Sequence, residues 1–191
     1  MVMKQLKTWL IAVLLTGMAA TALATTPSAT GFAASFVETR TLPGFTQALV
    51  SHGLMRFSRT GGFHWEITQP YHYVFEMRDG QAHEVLPDGT QRTLKPEQTP
   101  WLNAVQHIFV SALSGDRAQL ARYFTVQATD VAHGRQVVLV PKSGAMAKVI
   151  RRIEVTESAP GHPRHLVIEE ASGGRMDIRF TPLQPAGAGS S

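Results

Sequence analysis

The chain of 191 residues sets 18 Lys and Arg against 14 Asp and Glu, a formal charge of +4 with no basic block, so nothing in it supplies an electrostatic footprint for nucleic acid. It has no cysteine, which excludes a disulfide framework, a thiol nucleophile, a cysteine metal site and a lipid anchor on a cysteine at a leader cleavage point.

At the N-terminus Lys4 and Lys7 precede an apolar run from Trp9 to Leu15 and a small-x-small site at Ala22-Leu23-Ala24, which predicts a signal peptide over 1–24 and a mature start at Thr25. The run is shorter than the ~20 residues that span a bilayer. The mature protein is therefore expected to be soluble and periplasmic. Its charge falls to +2 without Lys4 and Lys7, and its length suits one domain over 25–184 with a small-residue, disordered tail over 185–191.

From Phe32 the pattern is mostly period two. Phe32, Ala34 and Phe36 alternate with Ala33, Ser35 and Val37. Leu42-Pro43-Gly44 predicts a turn, and Gln47 to Phe57 a second strand with Leu49, Met55 and Phe57 on one face. Phe63, Trp65 and Ile67 then alternate with His64, Glu66 and Thr68, and Tyr71, Tyr73, Phe75 and Met77 repeat the pattern after Gln69-Pro70. Asp79-Gly80 and Pro87-Asp88-Gly89 are turn signals.

The period then changes. Thr99-Pro100 predicts an N-cap with proline at the first helical position, and Leu102, Val105, Ile108, Phe109 and Ala112 recur at helical spacing. After Gly115-Asp116 a second short helix is expected, its apolar side formed by Leu120 and Tyr123 or Phe124. Strands resume over Gln136–Pro141, Val149–Thr156, Arg164–Glu170 and Arg175–Thr181. About ten antiparallel strands cannot lie flat in one sheet, so the predicted fold is mainly β: a half-closed antiparallel barrel covered by a helical lid.

Catalytic devices are missing. There is no G-x-S-x-G, Ser35, Ser51, Ser58 and Ser111 stand in ordinary strand or helix contexts, and the adjacent Glu169 and Glu170 face opposite sides of a strand. His162-Pro163-Arg164-His165 is the closest histidine pair, but it falls in a proline turn without a third ligand. Gly61-Gly62 and Gly173-Gly174 lack the helix and lysine of a phosphate loop. No enzyme, metal or cofactor is expected. What remains is apolar surface: Met55, Phe57, Phe63, Trp65, Tyr73 and Phe75 on the strands, and Trp101, Leu102, Val105, Ile108 and Phe109 on the helix. These side chains either fill a barrel core or line a cavity, and Arg59 beside them needs carbonyl or carboxylate partners if it is buried.

Gly53, Leu54, Arg59, Phe63-x-Trp65 and Thr68-Gln69-Pro70, together with Ala34-Ser35-Phe36 upstream and Leu139-Val140-Pro141-Lys142 downstream, are similar in order and spacing to the periplasmic lipoprotein carrier family, LolA. Pro100 to Leu113 followed by Gly115-Asp116 resembles the lid of that family. Thr60 stands where a proline usually follows the arginine, so the resemblance is to a divergent member. It implies a half-barrel whose cavity takes the acyl chains of a lipoprotein or another lipid from an inner-membrane exporter and gives them to an outer-membrane acceptor, the carrier acting as a monomer without nucleic acid. It also implies that Arg59 hydrogen-bonds the lid backbone when the cavity is empty. The competing expectation is a lipid-independent periplasmic interaction or sensor module on the same barrel.

Overall fold

The computed structural model describes residues 31–58, 62–78, 81–94, 121–142, 144, 146–159 and 162–183. They form eleven strands: β1 (Gly31–Thr41), β2 (Leu49–Ser58), β3 (Gly62–Gln69), β4 (Tyr73–Arg78), β5 (Gln81–Val85), β6 (Gln91–Leu94), β7 (Phe124–Val131), β8 (Gly134–Pro141), β9 (Ile150–Ala159), β10 (His162–Glu170) and β11 (Arg175–Pro182). All belong to one sheet in the order β6-β5-β4-β3-β2-β1-β11-β10-β9-β8-β7. Two hairpin meanders, β1 to β6 and β7 to β11, are joined by antiparallel pairing of β1 with β11, where Phe36 faces Phe180 and Arg40 faces Met176. The sheet is open: β6 and β7, successive among the described strands, are its two opposite edges.

Alternation decides the faces. In β1 the buried side chains are Phe32, Ala34, Phe36, Glu38 and Arg40, and in β3 they are Phe63, Trp65 and Ile67. The pairing carries this face across the sheet through Met55↔Trp65, Trp65↔Phe75, Leu166↔Ile178, Ile168↔Ile153 and Leu139↔Ile153. The result is one apolar cluster that runs from Ala82 near one edge to Phe124 at the other. The opposite face carries charge. His64 pairs with Glu76 at 2.7 Å, Arg151 with Glu169 at 3.2 Å and His165 with Asp177 at 2.8 Å.

The sheet curls around its apolar face. Trp65 on β3 and Phe180 on β11 have two strands between them, about 14 Å in a flat sheet at ~4.8 Å per strand, yet their ring centroids are 6.5 Å apart. Part of this approach is made at Gly53. The ring of Phe36 passes over that glycine and stacks on Trp65 at 3.8 Å, with 18° between the planes. A Cβ on Gly53 would lie 2.0 Å from the Glu66 carbonyl oxygen and 2.3 Å from Phe36 Cζ, so no larger residue fits between the two rings' strands.

Two expectations need correction. The described residues hold eleven strands rather than about ten, and the additional strand is β7, whose first residue, Phe124, is one of the two alternatives expected on the apolar side of a helix. Helical geometry covers 121–123 and stops there. From Phe124 the β-branched run Thr125, Val126 and Thr129 pairs with β8, and Phe124 and Val126 turn toward the core while Thr125 and Gln127 turn out. The expected helix over Leu102 to Ala112, and with it the lid, lies outside the described residues. No helix among the described residues is long and apolar enough to cross a membrane.

Candidate functional site

The concave apolar face gathers six of the side chains singled out from the sequence. Met55, Phe63, Trp65, Tyr73 and Phe75 are buried, and Phe57 packs half-buried against them. They come together because β2, β3 and β4 are successive hairpin strands in matched register: Phe57 faces Phe63, Phe63 faces Met77, and Ile67 faces Tyr73. Phe63 lies within 6.5 Å of Trp65 and 6.3 Å of Phe75, centroid to centroid, so the three rings form a continuous aromatic surface. Arg59, Trp101, Leu102, Val105, Ile108 and Phe109 lie outside the described residues. Arg59 falls in the segment that joins Ser58 of β2 to Gly62 of β3, the latter held at φ 79°.

Tyr73 is only partly apolar wall. Its hydroxyl donates to Glu84 Oε1 at 3.0 Å, and Arg92 Nη2 lies 3.7 Å from the other carboxylate oxygen. Burial and the neighbouring Glu84 carboxylate together push the phenol well above its usual range. Trp65 differs: its indole nitrogen is buried with no hydrogen-bond partner among the described residues.

A second group of residues, which the sequence did not single out, occupies the same face at the Thr41 end of β1. Arg40 is 2% exposed and its Nη2 donates to Glu170 Oε1 at 2.5 Å. The other Glu170 oxygen accepts from Ser172 Oγ at 3.0 Å. Glu38, 1% exposed, has no hydrogen-bond partner for either carboxylate oxygen among the described residues. Its carboxyl is pushed up from 4.5 to about 8, chiefly by burial; Arg40 pulls it back and Glu170 adds to the rise. Tyr71, hydrogen-bonded to Ser51, flanks the group, and its own rise comes first from burial and then from Glu38. The signal was present in the sequence: positions 38 and 40 continue the inward register of Phe32, Ala34 and Phe36. Glu170 proves to be the inward member of the adjacent glutamate pair, and Glu169 faces out to Arg151.

Among the described residues no group of three or more His, Cys, Asp or Glu could hold a metal ion. His165 is engaged by Asp177 on the outer face, and His162 makes an edge contact with Phe32.

The family model for the outer membrane lipoprotein carrier protein LolA matches residues 27–190. The outer-membrane lipoprotein carrier protein of Chromohalobacter salexigens is 28% identical over 174 residues, 90% of this chain and 79% of that protein. Among solved structures, a LolA superfamily protein from Nitrosomonas europaea is 9% identical with a TM-score of 0.41, over 93% of this chain and 94% of its own. A putative outer membrane lipoprotein-sorting protein domain from Vibrio parahaemolyticus is 7% identical with a TM-score of 0.41, over 83% and 87%. With a family model spanning nearly all of the sequence from residue 27 onward, and a curved sheet whose inner face is a wall of apolar side chains, the chain belongs to the LolA family of periplasmic, non-enzymatic lipoprotein carriers.

Proposed function

We propose that this protein takes acyl chains of a lipoprotein or related lipid onto its concave face and carries them from an inner-membrane exporter to an outer-membrane acceptor. The observation that supports this reading is the single apolar cluster on the inward face of an open sheet, from Ala82 to Phe124, with Phe57, Met55, Phe63, Trp65 and Phe75 at its centre. Each buried methylene contributes about 0.8 kcal/mol, so one long acyl chain gains on the order of 10 kcal/mol. A carrier must also let go. In this reading Arg59 latches the segment bearing Trp101, Leu102, Val105, Ile108 and Phe109 while the carrier is empty, and breaking the latch on loading offsets about 1.5 to 3 kcal/mol of the gain for each charged hydrogen bond lost.

Titration with a fluorescent fatty-acid analogue tests both parts. Saturable binding at one site is expected, and Arg59→Leu, which removes the cost of opening, is expected to slow release on the order of 10-fold with little change in melting temperature. Absence of saturable binding, in a protein that also co-purifies with no acylated species, would leave the lipid-independent interaction module as the better reading. Unchanged release with a large loss of stability would make Arg59 a structural residue.

A further inference from the structure

We propose that Glu38, with Arg40 and Glu170 beside it, is a recognition site for an amine-bearing headgroup whose acyl part lies along the adjoining apolar wall. The inference rests on the acyl carriage proposed above and adds the chemistry of the cargo's polar end.

Position comes first. Glu38 follows Phe36 on the inward face of β1, and the Phe36 ring is stacked on Trp65, so the polar group and the aromatic wall are consecutive steps of one surface. From Glu38 to Phe32 the face runs six residues, about 20 Å at ~3.3 Å per residue. A ligand laid along β1 thus has its tail over Phe36, Trp65 and Phe32 when its head is at Glu38.

Charge and hydrogen bonding then select the head. Arg40 is engaged with Glu170, whose second oxygen is engaged with Ser172, which leaves Glu38 as the second carboxyl of a site that holds one guanidinium among the described residues. Networks that serve only to hold a fold together leave few buried members without hydrogen-bond partners. Here both oxygens of a carboxyl only 1% exposed have none among the described residues, and they stand on the inward face next to the apolar wall. An ammonium brings three donors and one positive charge, so that Glu38 can give up its proton against it and two carboxylates then face two cations. A hydroxyl brings one donor and no charge, and a carboxylate head would meet like charge from Glu170 while giving Glu38 no cation to ionise against.

The test is isothermal titration at pH 7 of the protein purified from periplasm with dodecylamine, dodecanol and dodecanoate, which share a tail and differ in the head. Dodecylamine is expected to bind about 10-fold or more tightly than dodecanol, and dodecanoate more weakly than either. Because burial keeps Glu38 protonated at neutral pH, its ionisation against the ammonium should release about one proton per ligand to the buffer. Glu38→Gln is expected to abolish the proton release and cut the amine preference to about threefold or less, with dodecanol affinity unchanged. Equal binding of all three heads, or an amine preference that survives in Glu38→Gln, overturns the headgroup site and leaves acyl carriage standing. Failure of all three to bind overturns both.

Discussion

Gly53→Ala is expected to lower the melting temperature by about 10 °C, a loss of about 3 kcal/mol or more for a domain of this size. The added Cβ meets the Glu66 carbonyl oxygen at 2.0 Å and the Phe36 ring at 2.3 and 2.6 Å, distances no real contact shows. Neither neighbour can step aside cheaply. Glu66 is ladder backbone, its residue paired with Leu54 on one side and Val74 on the other, and the Phe36 ring is held in its stack on Trp65. Relief therefore requires β2 and β3 to separate or the aromatic wall to be rebuilt, and either change spreads through the curled part of the sheet. Trimming the ring by Phe36→Leu in the Gly53→Ala background should recover only a fraction, because the carbonyl contact remains. Thermal melts of the two variants decide this: Gly53→Ala melting within about 2 °C of wild type would mean that the sheet is not drawn together at that glycine.

The second large effect is on pH dependence. Glu38 rises from 4.5 to about 8 in the folded protein, so between these values the native state holds a proton that the unfolded chain has lost. The contribution to stability is fully present below about pH 4.5 and is lost as pH rises to about 8, at about 1.4 kcal/mol per pH unit and on the order of 5 kcal/mol in full. The groups that act on Glu38 are Arg40 on its own strand, which opposes the rise, and Glu170 on β10, which reinforces it; Tyr71 stands beside them. Glu38→Gln keeps the shape and removes the titration. Its melting temperature should match wild type near pH 5 and exceed it by on the order of 10 °C at pH 8. Parallel curves for the two proteins would show that Glu38 stays ionised against Arg40 throughout.

Much of the architecture was legible because a strand buried on one side writes its faces into the sequence at period two. Phe32-Ala34-Phe36, Phe63-Trp65-Ile67 and Tyr73-Phe75-Met77 each kept the faces expected of them, whereas Tyr71 and Leu49, expected to share those faces, are exposed; the Asp79-Gly80 and Pro87-Asp88-Gly89 signals fell between strands. β7 was missed for a physical reason. As an edge strand it turns only Phe124 and Val126 toward the core, too few to establish a period against the helical spacing read in the sequence before it. The pairing of β1 with β11 had no local signal, since Phe36 and Phe180 meet only through the closure of two separate meanders. The same is true of the ion pair between Arg40 and Glu170, which stand 130 residues apart. Glu38 and Arg40 themselves were detectable, as polar residues continuing an inward apolar register. Arg59, singled out beside the aromatic strand residues and marked again by the family resemblance, lies outside the described residues.

Acyl carriage on the concave face is the claim on which the rest depends, and photo-crosslinking tests it most directly. A fatty-acid analogue with a photoactivatable group along its chain, mapped by peptide mass spectrometry, should label the protein saturably at one equivalent, with sites on inward residues such as Met55, Trp65, Phe75 and Ile168. Labelling confined to the outward face around His64, Glu76 and Arg151, or labelling that never saturates, would contradict it.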